Sequence, residues 1–224
     1  TAFLALEPAL GDVPPENTSL IELRSRVFDV RTNASEIRRD DHFIPLTDVK
    51  WFNNAKEYDP HLHPTVIHIE SRPGGVGRYI WFPDEASDRH PHTEGIADFF
   101  FLEGYEVRWL SGGPPGVNGV ILLFPKDSPE DFYVSCVYVK SEGVPKFCGM
   151  RVSYPPDPDL RIKVRIYQVT SPLNDFRTMA RKVRTMVYCL DVTEAVKAGT
   201  WTQGPHIDPD GPLPDLFNCR DLQS

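Results

Sequence analysis

Five of the seven histidines fall within residues 61–92. His61 and His63 form one H-x-H pair, His90 and His92 a second, and His68 follows the first. Alternate residues of a strand share a face, so an H-x-H pair can offer two imidazoles to one metal ion. A histidine-rich metal site on a barrel would add a carboxylate at a set offset and a third histidine on a later strand. Here Glu70 and Glu94 stand at different offsets from their pairs, Pro64 follows the first pair and Pro91 interrupts the second, so both pairs read as loop. Near an interface such histidines would gain charge between about pH 7 and 5 and loosen contacts. No G-x-S-x-G, P-loop, H-E-x-x-H or G-x-G-x-x-G motif occurs. The glycine-rich stretches 74–77 and 112–116 precede strand-like runs, whereas a phosphate cradle needs a helix N-terminus, and they read as turns. The expectation is therefore no catalytic residue, no cofactor and no metal.

One enzyme-like pattern remains. Ile21-Glu22-Leu23-Arg24-Ser25, then Val66-Ile67-His68, then Lys197-Ala198-Gly199-Thr200-Trp201-Thr202-Gln203 resemble, in order, the three motifs of alginate-lyase-type β-jelly-roll polysaccharide lyases. The resemblance implies that Arg24, His68 and Lys197 would meet an acidic polysaccharide. It departs from the family at Trp201, where the family's catalytic tyrosine belongs, and in the middle motif, which lacks its glutamine.

The elements that must carry such residues are constrained by composition. The chain has 224 residues, 40% of them apolar and 25% charged, as in folded globular proteins rather than disordered ones. Its 22 prolines leave little room for long helices. No apolar run suggests a membrane span or a signal peptide. The net charge of −8 argues against a strongly basic nucleic-acid-binding domain, but the charge is uneven: residues 160–200 hold eight Lys/Arg against three acids, and residues 202–224 hold four Asp against one Arg. Four cysteines, none in a C-x-x-C pair, are too few and too irregular for a disulfide scaffold, and apolar neighbours make three of them read as small buried residues. Two sequons, at Asn17 and Asn33, would mark loops in a secreted chain.

Runs rich in Val, Ile, Phe, Tyr and Trp, bounded by Pro and Gly clusters, predict eight strands at 65–70, 78–82, 99–110, 119–124, 132–139, 147–154, 160–169 and 183–190. In 160–166 Leu160, Ile162, Val164 and Ile166 alternate with Arg161, Lys163 and Arg165, which predicts one dry and one wet face. Residues 120–124 are apolar on both faces, as in a strand covered on both sides. Thr193–Gly199 predicts a turn or two of helix, and 96–102 a short helix running into a strand. Residues 1–60 and 201–224 lack periodicity and read as extended N- and C-terminal arms, the latter acidic, around a β-sandwich over 61–200.

A second resemblance covers about three-quarters of the chain. Phe99-Phe100-Phe101-Leu102-Glu103-Gly104-Tyr105-Glu106-Val107-Arg108-Trp109-Leu110, then Gly119-Val120-Ile121-Leu122-Leu123-Phe124-Pro125, is similar to the middle strands of picorna-like virus capsid proteins. Cys148–Pro155 resembles their following strand, Leu160–Asn174 and Val183–Tyr188 their last two, and Glu16–Arg24 the segment before the barrel. Leu102-Glu103 stands where those proteins carry Trp-Arg, and Ser153 replaces a proline. The resemblance implies an all-β, eight-stranded antiparallel jelly-roll β-sandwich: a structural subunit of a non-enveloped icosahedral particle, assembled in the host cytoplasm with sister capsid proteins around an RNA genome held by weak non-specific contacts. In that setting the four cysteines would stay reduced. A secreted jelly-roll polysaccharide lyase or carbohydrate-binding protein is the alternative.

Overall fold

The alternation in 160–166 becomes the strand around which the molecule is built. A computed structural model describes residues 19–34, 37, 42–59, 65–71, 104–111, 119–138, 145–166, 175–208, 210–212, 215 and 219. In chain order the elements are β1 (Leu20–Leu23), β2 (Arg26–Asp29), β3 (Phe43–Pro45), α1 (Lys50–Tyr58), β4 (Thr65–Ser71), β5 (Tyr105–Ser111), β6 (Gly119–Pro125), β7 (Phe132–Tyr138), β8 (Pro145–Ser153), β9 (Leu160–Ile166), α2 (Phe176–Leu190) and α3 (Thr193–Lys197). Seven strands form one antiparallel sheet in the order β3-β4-β9-β8-β7-β6-β5, and β1 pairs with β2 in a separate hairpin. From β5 to β9 the sheet is a meander of successive hairpins, with β4 and β3 added at the β9 side.

Register sorts the side chains by face. Val164 lies opposite Ile67 on β4 and Met150 on β8, and Val134 and Leu123 continue that row into β7 and β6. All five are fully buried. The core closes against this face with Phe28 and Val30 from the hairpin and its exit, Trp51 and Phe52 from α1, and Met179, Val183, Met186 and Val187 from α2. Helix α2 starts where Asp175 caps it by accepting from the Thr178 backbone N–H, and it buries its apolar stripe against the sheet. The hairpin is fixed to the chain after α2 by the Val192 N–H donating to the Val27 carbonyl at 2.9 Å and by Val27 N–H donating to Thr193 Oγ1 at 2.8 Å.

Six of the eight predicted strands correspond to β4–β9, the third only from Tyr105 onward, and β6 is buried on both faces: Ile121 and Leu123 inward, Leu122 and Phe124 outward. The run at 78–82 and the helix at 96–102 lie outside the described residues. The described residues are thus mostly β, with a seven-stranded antiparallel sheet and a two-stranded hairpin.

Three expectations are corrected. Residues 183–190 belong to helix α2, because their apolar positions continue a stripe of Phe176, Met179, Ala180, Val183, Met186, Val187 and Leu190 at helical spacing. Residues 19–58, expected to be part of an extended N-terminal arm, form three strands and a helix, and bury Phe28, Val30, Ile44, Leu46, Trp51 and Phe52 in this chain's own core. The cysteines are paired. Cys136 on β7 and Cys148 on β8 face each other across the ladder with Cα atoms 4.1 Å apart, and Cys189 near the end of α2 joins Cys219. Spacing along the chain hid both pairs, since the first depends on strand register and the second on the path of the C-terminal segment.

Candidate functional site

The second face of the sheet, turned away from α1 and α2, gathers charge. Register sets Tyr133, Arg151, Lys163 and His68 in one row across β7, β8, β9 and β4. The next row holds Ser135, Gly149, Arg165 and Val66; on the other side lie Ser153, Arg161, Glu70 and Phe43. Among the described residues of β4, β8 and β9, this face carries the cations Arg151, Arg161, Lys163 and Arg165 against the single carboxylate Glu70, a surplus of three positive charges. It lies within a chain whose net charge is −8.

Glu70 is buried and fully committed. One carboxylate oxygen accepts from Arg161 Nε at 3.1 Å and Nη2 at 2.8 Å, and the other lies 2.8 Å from Lys163 Nζ. Burial alone would raise the Glu70 pKa, but Lys163 and Arg161 outweigh it and hold the carboxyl below its usual value. His68 stacks on Phe43 with ring centroids 5.1 Å apart. Burial and the Lys163 charge beside it keep its imidazole neutral to lower pH than usual.

Arg151 is different. Its Nη1 donates to the Met150 carbonyl at 3.3 Å, while its buried Nε has no hydrogen-bond partner among the described residues. Gly149 makes room for this guanidinium, since a Cβ there would sit 3.3 Å from Nη1. Burial lowers the Arg151 pKa, and the Arg161 and Arg165 charges add to the effect. Beyond Arg151 the face turns apolar, with Phe124 stacked on Tyr133 at 5.9 Å beside Leu122.

The three residues of the lyase-like pattern do not converge. Arg24 sits at the β1–β2 turn with φ of 58° and donates to Asp159 at 2.8 Å, and Lys197 ends α3, 3.6 Å from Glu194. Hairpin and helix both lie with the core side of the sheet, and His68 points from the other side. Trp201 follows α3, its N–H bonded to the Ala195 carbonyl at 3.1 Å. On that core side the carboxylate of Asp191 is occupied: it accepts from the Tyr154 hydroxyl, from Arg26 Nη2 at 2.6 Å and from Thr193 Oγ1 at 2.6 Å. This network ties α2, β2 and the β8–β9 turn together. His61, His63, His90 and His92 lie outside the described residues, and no group of three or more metal-ligating side chains occurs among the described residues. No helix there is long and apolar enough to cross a membrane. Sequence reading found Arg161, Lys163 and Arg165 by their alternation, weighed Glu70 only as a carboxylate beside the histidine pair, and passed over Arg151; both join the β9 cations only through strand pairing. No protein-family model, curated protein or solved structure matches this chain.

Proposed function

We propose that this chain is a non-catalytic binding protein of an oxidising compartment, holding an acidic polysaccharide against the second face of its sheet. The observation that carries the reading is the surplus of three positive charges on β4, β8 and β9 in an otherwise acidic chain. Neighbouring strands lie about 5 Å apart, so a polyanion laid across them meets a cation on each of β8 and β9. The paired cysteines favour an extracytoplasmic setting, where disulfides persist. Because the molecule as a whole is acidic, attraction is short-ranged and confined to the patch, and screening at about one Debye length, roughly 8 Å at physiological salt, makes it sensitive to ionic strength. Calorimetric titration of the oxidised protein with polygalacturonate should give saturable binding at low salt that weakens as salt rises. An absence of binding at low salt overturns the reading.

A second reading keeps the capsid resemblance: a subunit that assembles in the host cytoplasm with sister subunits and turns this basic face to an RNA genome. The observation in its favour is β6, apolar and buried on both faces. Against it stand the paired cysteines and the commitment of residues 19–58 to this chain's own core. Electron microscopy of the purified protein decides, with closed particles favouring the capsid and monomers the binding protein.

A further inference from the structure

Two arginines on the second face present the same chemistry and are treated differently by the fold. A guanidinium offers its Nε–Nη2 edge as a fork that matches the two oxygens of a carboxylate. Arg161 has that edge filled by Glu70, at 3.1 and 2.8 Å. Arg151, diagonal to it across the β8–β9 ladder, has a buried Nε with no acceptor among the described residues, where its one hydrogen bond goes from the other end, Nη1, to the Met150 carbonyl. Its direct neighbour across that ladder is another cation, Lys163, and the carboxylate that could have balanced it, Glu70, is already shared by Arg161 and Lys163.

Arginine does not shed its proton in proteins, so this charge cannot be relieved by titration. A buried charged donor without an acceptor is costly, and like charges directly opposite in a ladder repel. Both penalties vanish if an oxyanion takes the vacant edge. The position is prepared for one: Gly149 gives the guanidinium its seat, Tyr133 flanks it on β7, and Arg165, exposed on β9 in the Gly149 row, adds charge where a ligand would enter.

We propose that Arg151 anchors a single-oxyanion subsite on the second face of the sheet, and that its occupant is a carboxylate of a uronate residue in the polysaccharide, gripped by the Nε–Nη2 fork. This rests on the polysaccharide reading for the source of the carboxylate, but the subsite itself stands on the unpaired Nε. The fork makes the site selective in a way that a general basic patch is not: lysine at the same position keeps the charge and loses the geometry.

The test uses the full oxidised chain and four proteins: wild type, Arg151→Lys, Arg151→Gln and Arg181→Gln, the last an exposed α2 position away from the face. Each is titrated with trigalacturonate and, separately, its melting temperature is followed as sulfate replaces chloride at constant ionic strength. Wild type and Arg181→Gln should bind trigalacturonate alike, with Arg151→Lys and Arg151→Gln weaker by about 10-fold or more, the loss of a charge-assisted pair. If both Arg151 variants are folded and bind as wild type does, the subsite is wrong and the polysaccharide reading survives. If no protein binds trigalacturonate but sulfate raises the wild-type melting temperature and not that of the Arg151 variants, the subsite stands and the uronate source fails. If neither anion affects the wild type, the subsite is overturned. Should Arg151→Gln fail to fold, Arg151→Lys, which keeps the charge, carries the comparison.

Discussion

Glu70 is the residue on which the charged face turns, because its one carboxylate is shared by Arg161 and Lys163. Replacing it with glutamine keeps shape and removes the counter-charge, leaving a buried guanidinium beside an ammonium. Breaking one side of a buried pair in this way costs about 3 kcal/mol or more, so Glu70→Gln should fall well below wild type in urea unfolding at neutral pH. The acid limb checks the cause. The folded-state pKa of Glu70 is depressed, so its contribution is present above the ordinary glutamate value near 4.3 and is lost as pH falls through the lower folded value. The gap between wild type and Glu70→Gln should therefore close below about pH 4; a gap that persists unchanged in acid would mean that packing, not charge, explains the loss. The cations of β9 could be read from their alternation, but the carboxylate they serve lies 91 residues earlier in the chain, and only the β4–β9 register reveals the match. The same holds for Arg151, whose isolation is a property of its neighbours across two ladders rather than of the sequence around it.

Among the elements, strands with two-residue periodicity and the short helix α3 were legible, and the long helix α2 was not. Reading 183–190 alone shows a Val- and Tyr-containing apolar run, whereas the stripe that identifies a helix begins at Phe176 and needs fifteen residues to declare itself. The cysteines were equally opaque. Their pairs differ in exposure: Cys136 and Cys148 are fully buried between β7 and β8, and Cys219 is partly exposed where it meets the end of α2. Mild dithiothreitol under native conditions should reduce Cys189–Cys219 first, read as two alkylated cysteines in a chain that still unfolds cooperatively. Labelling of Cys136 and Cys148 ahead of the other pair would contradict the burial argument. By loop-closure entropy, a pair separated by 30 residues contributes about 3.6 kcal/mol, so Cys189→Ser should lower the melting temperature by roughly 10 °C.

At the scale of the molecule, the question is whether residues 19–58 are an arm or part of the core. Their sequence lacks the regular periodicity of β9, and such a stretch taken alone looks like chain that needs a partner. The partner is the sheet of the same molecule: Ile44 pairs with Ile69 across β3 and β4, and Trp51 donates its indole N–H to the Val30 carbonyl at 2.9 Å. Phe28, Val30, Leu46, Val49 and Phe52 complete an inner layer that α2 and the sheet close over. Burying each large apolar side chain is worth about 1.5–3 kcal/mol, and the seven together match or exceed the 5–15 kcal/mol by which ordinary domains are stable. A chain beginning at residue 60 should therefore be insoluble or lack a cooperative transition, even with both disulfides allowed to form. Trp51→Ala in the full chain should cost about 3–5 kcal/mol, as expected for a large aromatic removed from a packed core. An arm that serves neighbouring subunits behaves oppositely: its removal spares the fold and abolishes assembly. A truncated chain that remains soluble, with native circular dichroism and a sharp melting transition, would return residues 19–58 to the role of an arm and restore the main support for the capsid reading.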